Sequence, residues 1–266
     1  MNGEWRLIRE EVRDGATNMA LDEIAAETAA NGGPRTVRVY QWEPSCLTLG
    51  YRQAPDTVDW AFCEESGIDV TRRQTGGGGI YHDHYGDIAY SIIAPKDELP
   101  GDLMATYDLL CEPILAFLRA IGVDARFVEQ EHDAIYHPAC YLRDLHPAHD
   151  MVAGAGRKIA GNAQYRRKDS VIQHGSITFS VDAPSHLGVF TDGPSESRFR
   201  ERVTGIDEQV DIDRADAVDA LEAHLESWAD ADEGGWTDDE LARARERAKT
   251  KYRSDSWNRE RTDPTD

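Results

Sequence analysis

Cations are scarce in this sequence, and lysine is the scarcest of them. Of 29 basic residues only five are lysine, at positions 96, 158, 168, 249 and 251, against 50 acidic residues and a formal net charge of −21. A surface of that sign repels phosphate backbones and anionic lipid, so nucleic acid and membrane are disfavoured as partners. Cysteine is sparse as well. Cys46, Cys63, Cys111 and Cys140 form no CxxC pair and no disulfide framework, and at least three of them read as small buried residues. No apolar run approaches the roughly 18 residues needed to span a bilayer. The stretch Met1–Leu7 lacks the charged-then-apolar layout of a signal peptide, so a cytoplasmic location is expected. Neither a Gly-Lys-Ser/Thr P-loop nor a Gly-x-Gly-x-x-Gly fingerprint occurs. The acidic excess resembles the composition of salt-rich cytoplasms, which bears on habitat and not on reaction.

What is present supports a sizeable core: 266 residues, 40% apolar, with six tryptophans. Alternation and β-branching predict strands over residues 4–9, 36–42, 45–50, 68–72 and 87–94. Residues 126–180 read as further strands, broken by a stretch rich in His and Pro. An Ala-rich helix is expected over 17–30 and a short one over 57–66. Leu103, Tyr107, Leu110, Ile114, Phe117, Leu118 and Ile121 recur at helical spacing. Val218, Leu221, Leu225 and Trp228 form another helical stripe, of the kind that packs on its own domain. Thr237-Asp-Asp-Glu is a capping-box signature for a last helix over 238–252. Residues 230–235 read as an acidic connector, and the tail after Asn258 is expected to fray. The fold class is α+β, with a mixed or antiparallel sheet flanked by helices. A catalytic domain is expected over 1–205, and a helical C-terminal segment packed on it over 206–266.

Two segments can carry chemistry. The run Gly76 to Gly79 follows Arg72 and Arg73. Glycine lets backbone amides approach a ligand closely, and such an amide concavity beside two guanidinium groups suits an anionic ligand. The alternative is a plain flexible turn. The second segment, Gly156-Arg-Lys-Ile-Ala-Gly-Asn-Ala-Gln, holds Lys158 among small and strand-forming residues. A lysine fixed there can serve a carbonyl or phosphate oxygen, or be an ordinary edge-strand lysine.

These blocks resemble the lipoate-protein ligase A family. Arg72-Arg-Gln-Thr-Gly-Gly-Gly-Gly-Ile-Tyr-His-Asp looks like its signature turn, and Gly156 to Gln164 looks like its catalytic lysine strand. Asn18-Met-Ala-Leu-Asp-Glu, Tyr40-Gln-Trp-Glu-Pro, Leu47-Thr-Leu-Gly-Tyr-Arg-Gln, Gln173-His-Gly-Ser-Ile and Lys251-Tyr-Arg-Ser-Asp-Ser-Trp-Asn match further blocks in the same order. The resemblance implies the catalytic fold shared by biotin and lipoate protein ligases. It implies attachment of lipoate or octanoate to a lysine of a lipoyl domain of a 2-oxoacid dehydrogenase complex, or of the glycine-cleavage carrier protein. Arg72, Arg73 and Gly76, Gly77 and Gly78 would then bind the acyl and phosphate groups. Tyr81 and His82 would close the pocket, with Gln173 and His174 beside it, and Lys158 would hold the activated carboxyl group.

Two branches of the family differ in donor. Ligases adenylate free lipoate with ATP and Mg²⁺, and carry an accessory domain or borrow it as a separate subunit; this chain is too short for a full-size one. Cysteine-dependent octanoyltransferases need no cofactor and take octanoate from acyl carrier protein through an enzyme thioester. Ala139-Cys-Tyr resembles the nucleophile of that second branch, although Cys140 stands a few residues farther from Lys158 than is usual there. A neighbouring lysine favours the thiolate that a nucleophile requires. Gly78 points the other way, since the octanoyltransferase branch carries a larger residue at that position. Ligase chemistry is the first expectation and octanoyl transfer through Cys140 the alternative.

Other readings are weaker. His132, His137, Cys140, His146 and His149 crowd one stretch but lack the short-pair spacing of a zinc module, so no metal is expected. His82 and His84 flank Asp83, yet neighbours on a strand face opposite sides, which argues against a local dyad. A biotin ligase would show a basic Gly-Arg-Gly turn, which is missing. A carrier-binding module without catalysis fits poorly with the presence of Lys158.

Overall fold

The computed structural model describes residues 4–146 and 149–265. The alternating segments become strands β1 (Trp5–Arg13), β2 (Arg35–Trp42), β3 (Cys46–Leu49), β4 (Asp69–Arg72), β5 (Ile80–His82), β6 (Asp87–Pro95), β7 (Ala125–Phe127), β8 (Asp150–Ala153), β9 (Arg157–Arg166), β10 (Ser170–Thr178) and β11 (Asp232–Glu233). Eight of them form one sheet in the order β11-β1-β2-β6-β10-β9-β8-β7, and β4-β3-β5 form a second. In the large sheet β1 runs parallel to β2 and to β11, while the remaining pairs are antiparallel. The sheet is therefore mixed, and the fold α+β.

Helices cover both faces: α1 (Gly15–Ala30), α2 (Trp60–Glu65), α3 (Leu103–Ala120), α4 (Ala183–Gly188), α5 (Glu196–Arg200), α6 (Arg214–Ala229), α7 (Asp238–Arg247) and α8 (Asp255–Asn258). The period of two on β2 sorts its side chains. Val37 and Val39 enter the core shared with α3 and α6, while Tyr40 and Trp42 turn toward α1 and the C-terminal helices. Strand β6 is buried along its whole length, which explains its continuous apolar reading. Ala-rich α1 is buried nearly all round, and small side chains let it lie close to the sheet. Its Asn18 and Asp22 side chains accept from the buried Arg38 guanidinium of β2, at 2.8 and 3.1 Å.

The C-terminal part differs from expectation in two places. The acidic connector supplies β11, a short edge strand on β1. The tail is tied rather than frayed: Asp263 Oδ2 lies 2.5 Å from the buried Lys251 Nζ. The capping box forms as the sequence predicts, with Thr237 accepting from the Glu240 amide. The same Glu240 takes Arg6 of β1 in a two-pronged ion pair at 2.6 and 2.8 Å, so the cap also joins the last helix to the sheet. That bond and the bonds of Thr28 and Thr237 hold the Glu240 carboxyl down to about 2 against the effect of burial.

Candidate active site

A cavity of about 380 Å³ opens where β9 and β10 meet the glycine turn and the segment around Cys140. That volume suits a small-molecule site. Its walls are unequal. Met19, Tyr40, Trp42 and Ile80 give an apolar side, while Cys140, His149, Asp150, Lys158 and His174 gather polar groups.

Lys158 is placed by β9, and its side chain is only 2% exposed. Nζ meets Asp150 Oδ1 at 2.7 Å and donates to the Cys140 carbonyl at 3.2 Å, with the Tyr141 ring centroid 5.2 Å away. Burial alone would push the lysine toward neutrality. Asp150 and the thiolate form of Cys140 outweigh it, and the pKa is raised above its ordinary value. Asp150 sits deeply buried on β8, and Lys158 with His149 carries its carboxyl well below the usual range. The lysine is thus held as an ammonium. Gly161 keeps room for it, because a Cβ there would stand 3.2 Å from Cε.

The glycine turn is shaped by Arg73. Its guanidinium donates to the Gly76 and Gly78 carbonyls at 2.9 and 2.6 Å, to the Thr48 carbonyl at 2.7 Å and to the Thr75 hydroxyl at 3.0 Å. Arg72 spends its donors likewise on the carbonyls of Gly50, Tyr51, Gln53, Trp257 and Asn258. In this structure both arginines therefore bind backbone carbonyls rather than presenting free donors to an anion. Arg73 borders the cavity with Gly76 and Gly77; Arg72 and Gly78 do not. Gly77 has φ +98, a conformation a side chain would strain. Gly78 packs against the cysteine segment: an added Cβ would lie 2.7 Å from the Pro138 carbonyl and 2.9 Å from the Cys140 amide. Gly79 and Cys140 are hydrogen-bonded across this contact, Cys140 N donating to Gly79 O at 2.8 Å.

His82 borders the cavity, stacked on Trp42 with centroids 4.0 Å apart. Its partner is Asp87 rather than its sequence neighbour: Nδ1 lies 2.8 Å from Asp87 Oδ2, and Nε2 lies 2.9 Å from Thr48 Oγ1. A carboxylate oxygen can only accept, so the contact with Asp87 assigns the ring proton to Nδ1 and leaves Nε2 to accept from the Thr48 hydroxyl. Burial lowers the His82 pKa in spite of Asp87, which keeps the ring neutral. His174 reaches the cavity with Nε2 2.9 Å from Thr75 Oγ1. Tyr81 and Gln173 lie outside it. Tyr81 packs edge-on to His186, and Gln173 donates to the Cys111 sulfur at 3.3 Å. Of the four cysteines, Cys46, Cys63 and Cys111 are buried, and Cys140 alone is partly exposed.

Sequence reasoning missed Asp150, weighed His149 only as a metal ligand, and quoted Asn162 and Ser176 within their blocks without giving them a role. All four stand in the cavity wall, and Asp150 comes there through strand pairing with no motif to mark it. Among the described residues no group of three His, Cys, Asp or Glu converges in a way that could hold a metal ion. Nor, among the described residues, is any helix long and apolar enough to cross a membrane.

Residues 14–226 match the family model described as the lipoyl protein ligase A/B catalytic domain. The octanoyltransferase LipM of Symbiobacterium thermophilum is 33% identical, covering 97% of this chain and 99% of that protein. The octanoyltransferase LipM of Bacillus subtilis is 31% identical, with 97% and 98% covered. Among solved structures, the bipartite lipoate protein ligase of Thermoplasma acidophilum superimposes with a TM-score of 0.80 at 25% identity, covering 97% of this chain and 96% of that one. A lipoate-protein ligase A bound with ATP superimposes equally well, at 27% identity with 96% and 98% covered.

Proposed function

From the premise that this chain belongs to the lipoyl protein ligase A/B catalytic-domain family and is an enzyme of protein lipoylation, we propose that it is an octanoyltransferase with Cys140 as nucleophile. The observation that carries the reading is the placement of Cys140 and the Lys158 ammonium in the wall of one cavity, joined by the 3.2 Å bond to the Cys140 carbonyl. Relatives at 31–33% identity over nearly the whole chain bear the octanoyltransferase name, which favours this reading over ATP-dependent ligation.

The Cys140 thiolate attacks the thioester carbonyl of octanoyl-acyl carrier protein. A carbon–sulfur bond forms to Cys140, the bond to the carrier's sulfur breaks, and the carrier leaves as a thiolate that takes a proton from solvent. Lys158 faces the charge that develops on oxygen and sulfur, which is the largest usual contribution in acyl transfer. The octanoyl tail lies along Met19, Tyr40, Trp42 and Ile80. The amine of a lipoyl-domain lysine then attacks the acyl-enzyme, releasing the amide and free Cys140. No ATP is consumed.

Ligase chemistry remains the second reading because Gly78 matches that branch and a ligase bound with ATP shares the fold. A Cys140→Ala variant separates the two. Wild type and variant are offered octanoyl-acyl carrier protein, or lipoate with ATP and Mg²⁺, and mass addition to a lipoyl domain is read. Loss of octanoyl transfer in the variant supports the transferase. Retained transfer of lipoate with ATP in the variant refutes it.

A further inference from the structure

Transfer of the acyl group to a lysine needs a base, because the acceptor arrives as an ammonium and cannot attack until it loses a proton. Lys158 is poorly suited to take that proton, being already charged and paired with Asp150 at 2.7 Å. The other cavity histidines are engaged: His82 by Asp87 and Thr48, His174 by Thr75, and His146 by Glu131 at 3.7 Å and by stacking on His149 itself. We propose that His149 is the general base of the second half-reaction, with Asp150 orienting it. This rests on the octanoyltransferase reading.

His149 borders the same cavity as Cys140 and Lys158, and its side chain is 33% exposed, open to an incoming protein side chain. Nδ1 lies 3.6 Å from Asp150 Oδ1, while Nε2 carries no hydrogen bond to any described residue. The main chain is pinned by Asn162, whose Nδ2 donates to the His149 carbonyl at 2.8 Å and whose amide donates to it at 3.2 Å. The ring stacks on His146 at 5.0 Å and leans on Tyr107 at 5.5 Å. Asp150 is itself fixed, since Oδ2 accepts the His146 amide at 2.8 Å while Oδ1 faces Lys158 and His149. One carboxylate therefore serves a structural ammonium and a titratable ring, the arrangement in which an acid orients a base. The titratable groups in contact with the ring are Asp150, His146 and Tyr107, and Lys158 and Cys140 border the same cavity.

The protons balance. The acceptor ammonium gives one proton to His149 Nε2, and the free amine forms the carbon–nitrogen bond at the thioester carbonyl. Collapse breaks the carbon–sulfur bond, and the second amine proton goes to the Cys140 sulfur. His149 returns its proton to solvent through its exposed edge.

The test uses full-length His149→Asn, with each half-reaction followed separately by intact mass. Octanoyl-Cys140 should form within about threefold of the wild-type rate, which also reports a folded protein. Discharge to a lipoyl domain at neutral pH should fall by roughly 10²-fold, the ordinary scale of general-base catalysis. The deficit should shrink as pH rises and the acceptor deprotonates unaided. Hydroxylamine, an amine already unprotonated at neutral pH, should discharge variant and wild type alike. Equal slowing with hydroxylamine and lipoyl domain would overturn the proposal in favour of a structural role, and unchanged discharge would overturn it outright. If wild type forms no octanoyl-Cys140, the transferase reading fails and this inference with it.

Discussion

Lys158 Nζ and Asp150 Oδ1 meet at 2.7 Å with neither side chain more than 3% exposed. Breaking a buried pair by removing one partner leaves an uncompensated charge and costs about 3–5 kcal/mol, whereas replacing both partners can be nearly neutral. Asp150→Asn should therefore lower the unfolding free energy by that amount. Lys158→Met combined with Asp150→Asn should recover most of it while octanoyl transfer stays absent. Urea denaturation beside the transfer assay checks this. A double variant no more stable than the single one would show that the pair is not the source of the cost.

The same pair sets a pH window. Asp150 is depressed, so its contribution is present above the ordinary aspartate value of 3.8 and is lost as pH falls toward its folded value. Lys158 is raised, so its contribution is complete below the ordinary lysine value of 10.5 and is lost as pH rises through its folded value. The stability difference between wild type and the double variant should be flat across neutral pH and change only outside those two limits. Denaturation series at acid, neutral and alkaline pH read it directly. A slope near pH 7 would contradict the assignment.

Gly76 and Gly78 make a matched comparison inside one turn. A Cβ at Gly76 meets nothing within 4 Å, whereas one at Gly78 runs into backbone atoms of His137, Pro138 and Cys140. Backbone cannot swing aside as a long side chain can, so Gly78→Ala must displace the segment that carries Cys140. We expect Gly76→Ala to keep activity within about threefold and Gly78→Ala to lose at least about tenfold, since a shift near 1 Å at a reacting group can cost about 10²-fold. Rates of octanoyl-Cys140 formation distinguish them; equal rates would sink the argument.

The sheet, the long helices and the capping box at Thr237 were legible because period and capping chemistry are local properties of the sequence. Lys158, Cys140 and the glycine turn stood out as motifs, and one cavity now joins them. Asp150 and His149 were not legible. Their importance arises from register, Val152 opposite Lys158 on β8 and β9, which brings the Asp150 carboxylate to the ammonium. Arg72 and Arg73 were legible as a pair, but a guanidinium facing an anion and one facing carbonyls look identical in sequence. Only the folded turn shows where five donors go. The tail was read as frayed because the buried Lys251 that holds Asp263 looks like any other surface lysine.

Arg72 should then behave as a clamp. Its fork ties the Gly50–Gln53 turn to the carbonyls of Trp257 and Asn258. Lysine offers three donors on a point charge and cannot reach two chain segments at once. Hydrogen bonds to a charged group contribute about 1.5–3 kcal/mol each, so Arg72→Lys should cost about 3 kcal/mol or more. The KM for octanoyl-acyl carrier protein should be unchanged in the fraction that remains folded. A raised KM with unaltered stability would instead make Arg72 a substrate ligand.

Net charge gives the last expectation. With 50 acidic and 29 basic residues, like-charge repulsion across the surface opposes folding at low ionic strength. Added salt also weakens exposed pairs such as Arg198–Glu201 and Arg200–Glu196, but pairs of that kind contribute only about 0–1 kcal/mol. Buried pairs such as Lys158–Asp150 and Arg6–Glu240 are screened far less. Repulsion should therefore dominate the salt response, and Tm should climb by several degrees from dilute buffer to molar potassium chloride. About 1 kcal/mol moves Tm roughly 2–4 °C in a protein of this size, so the gain is readily measured by thermal denaturation. A flat or falling Tm would mean that like-charge repulsion does not limit the stability of this protein.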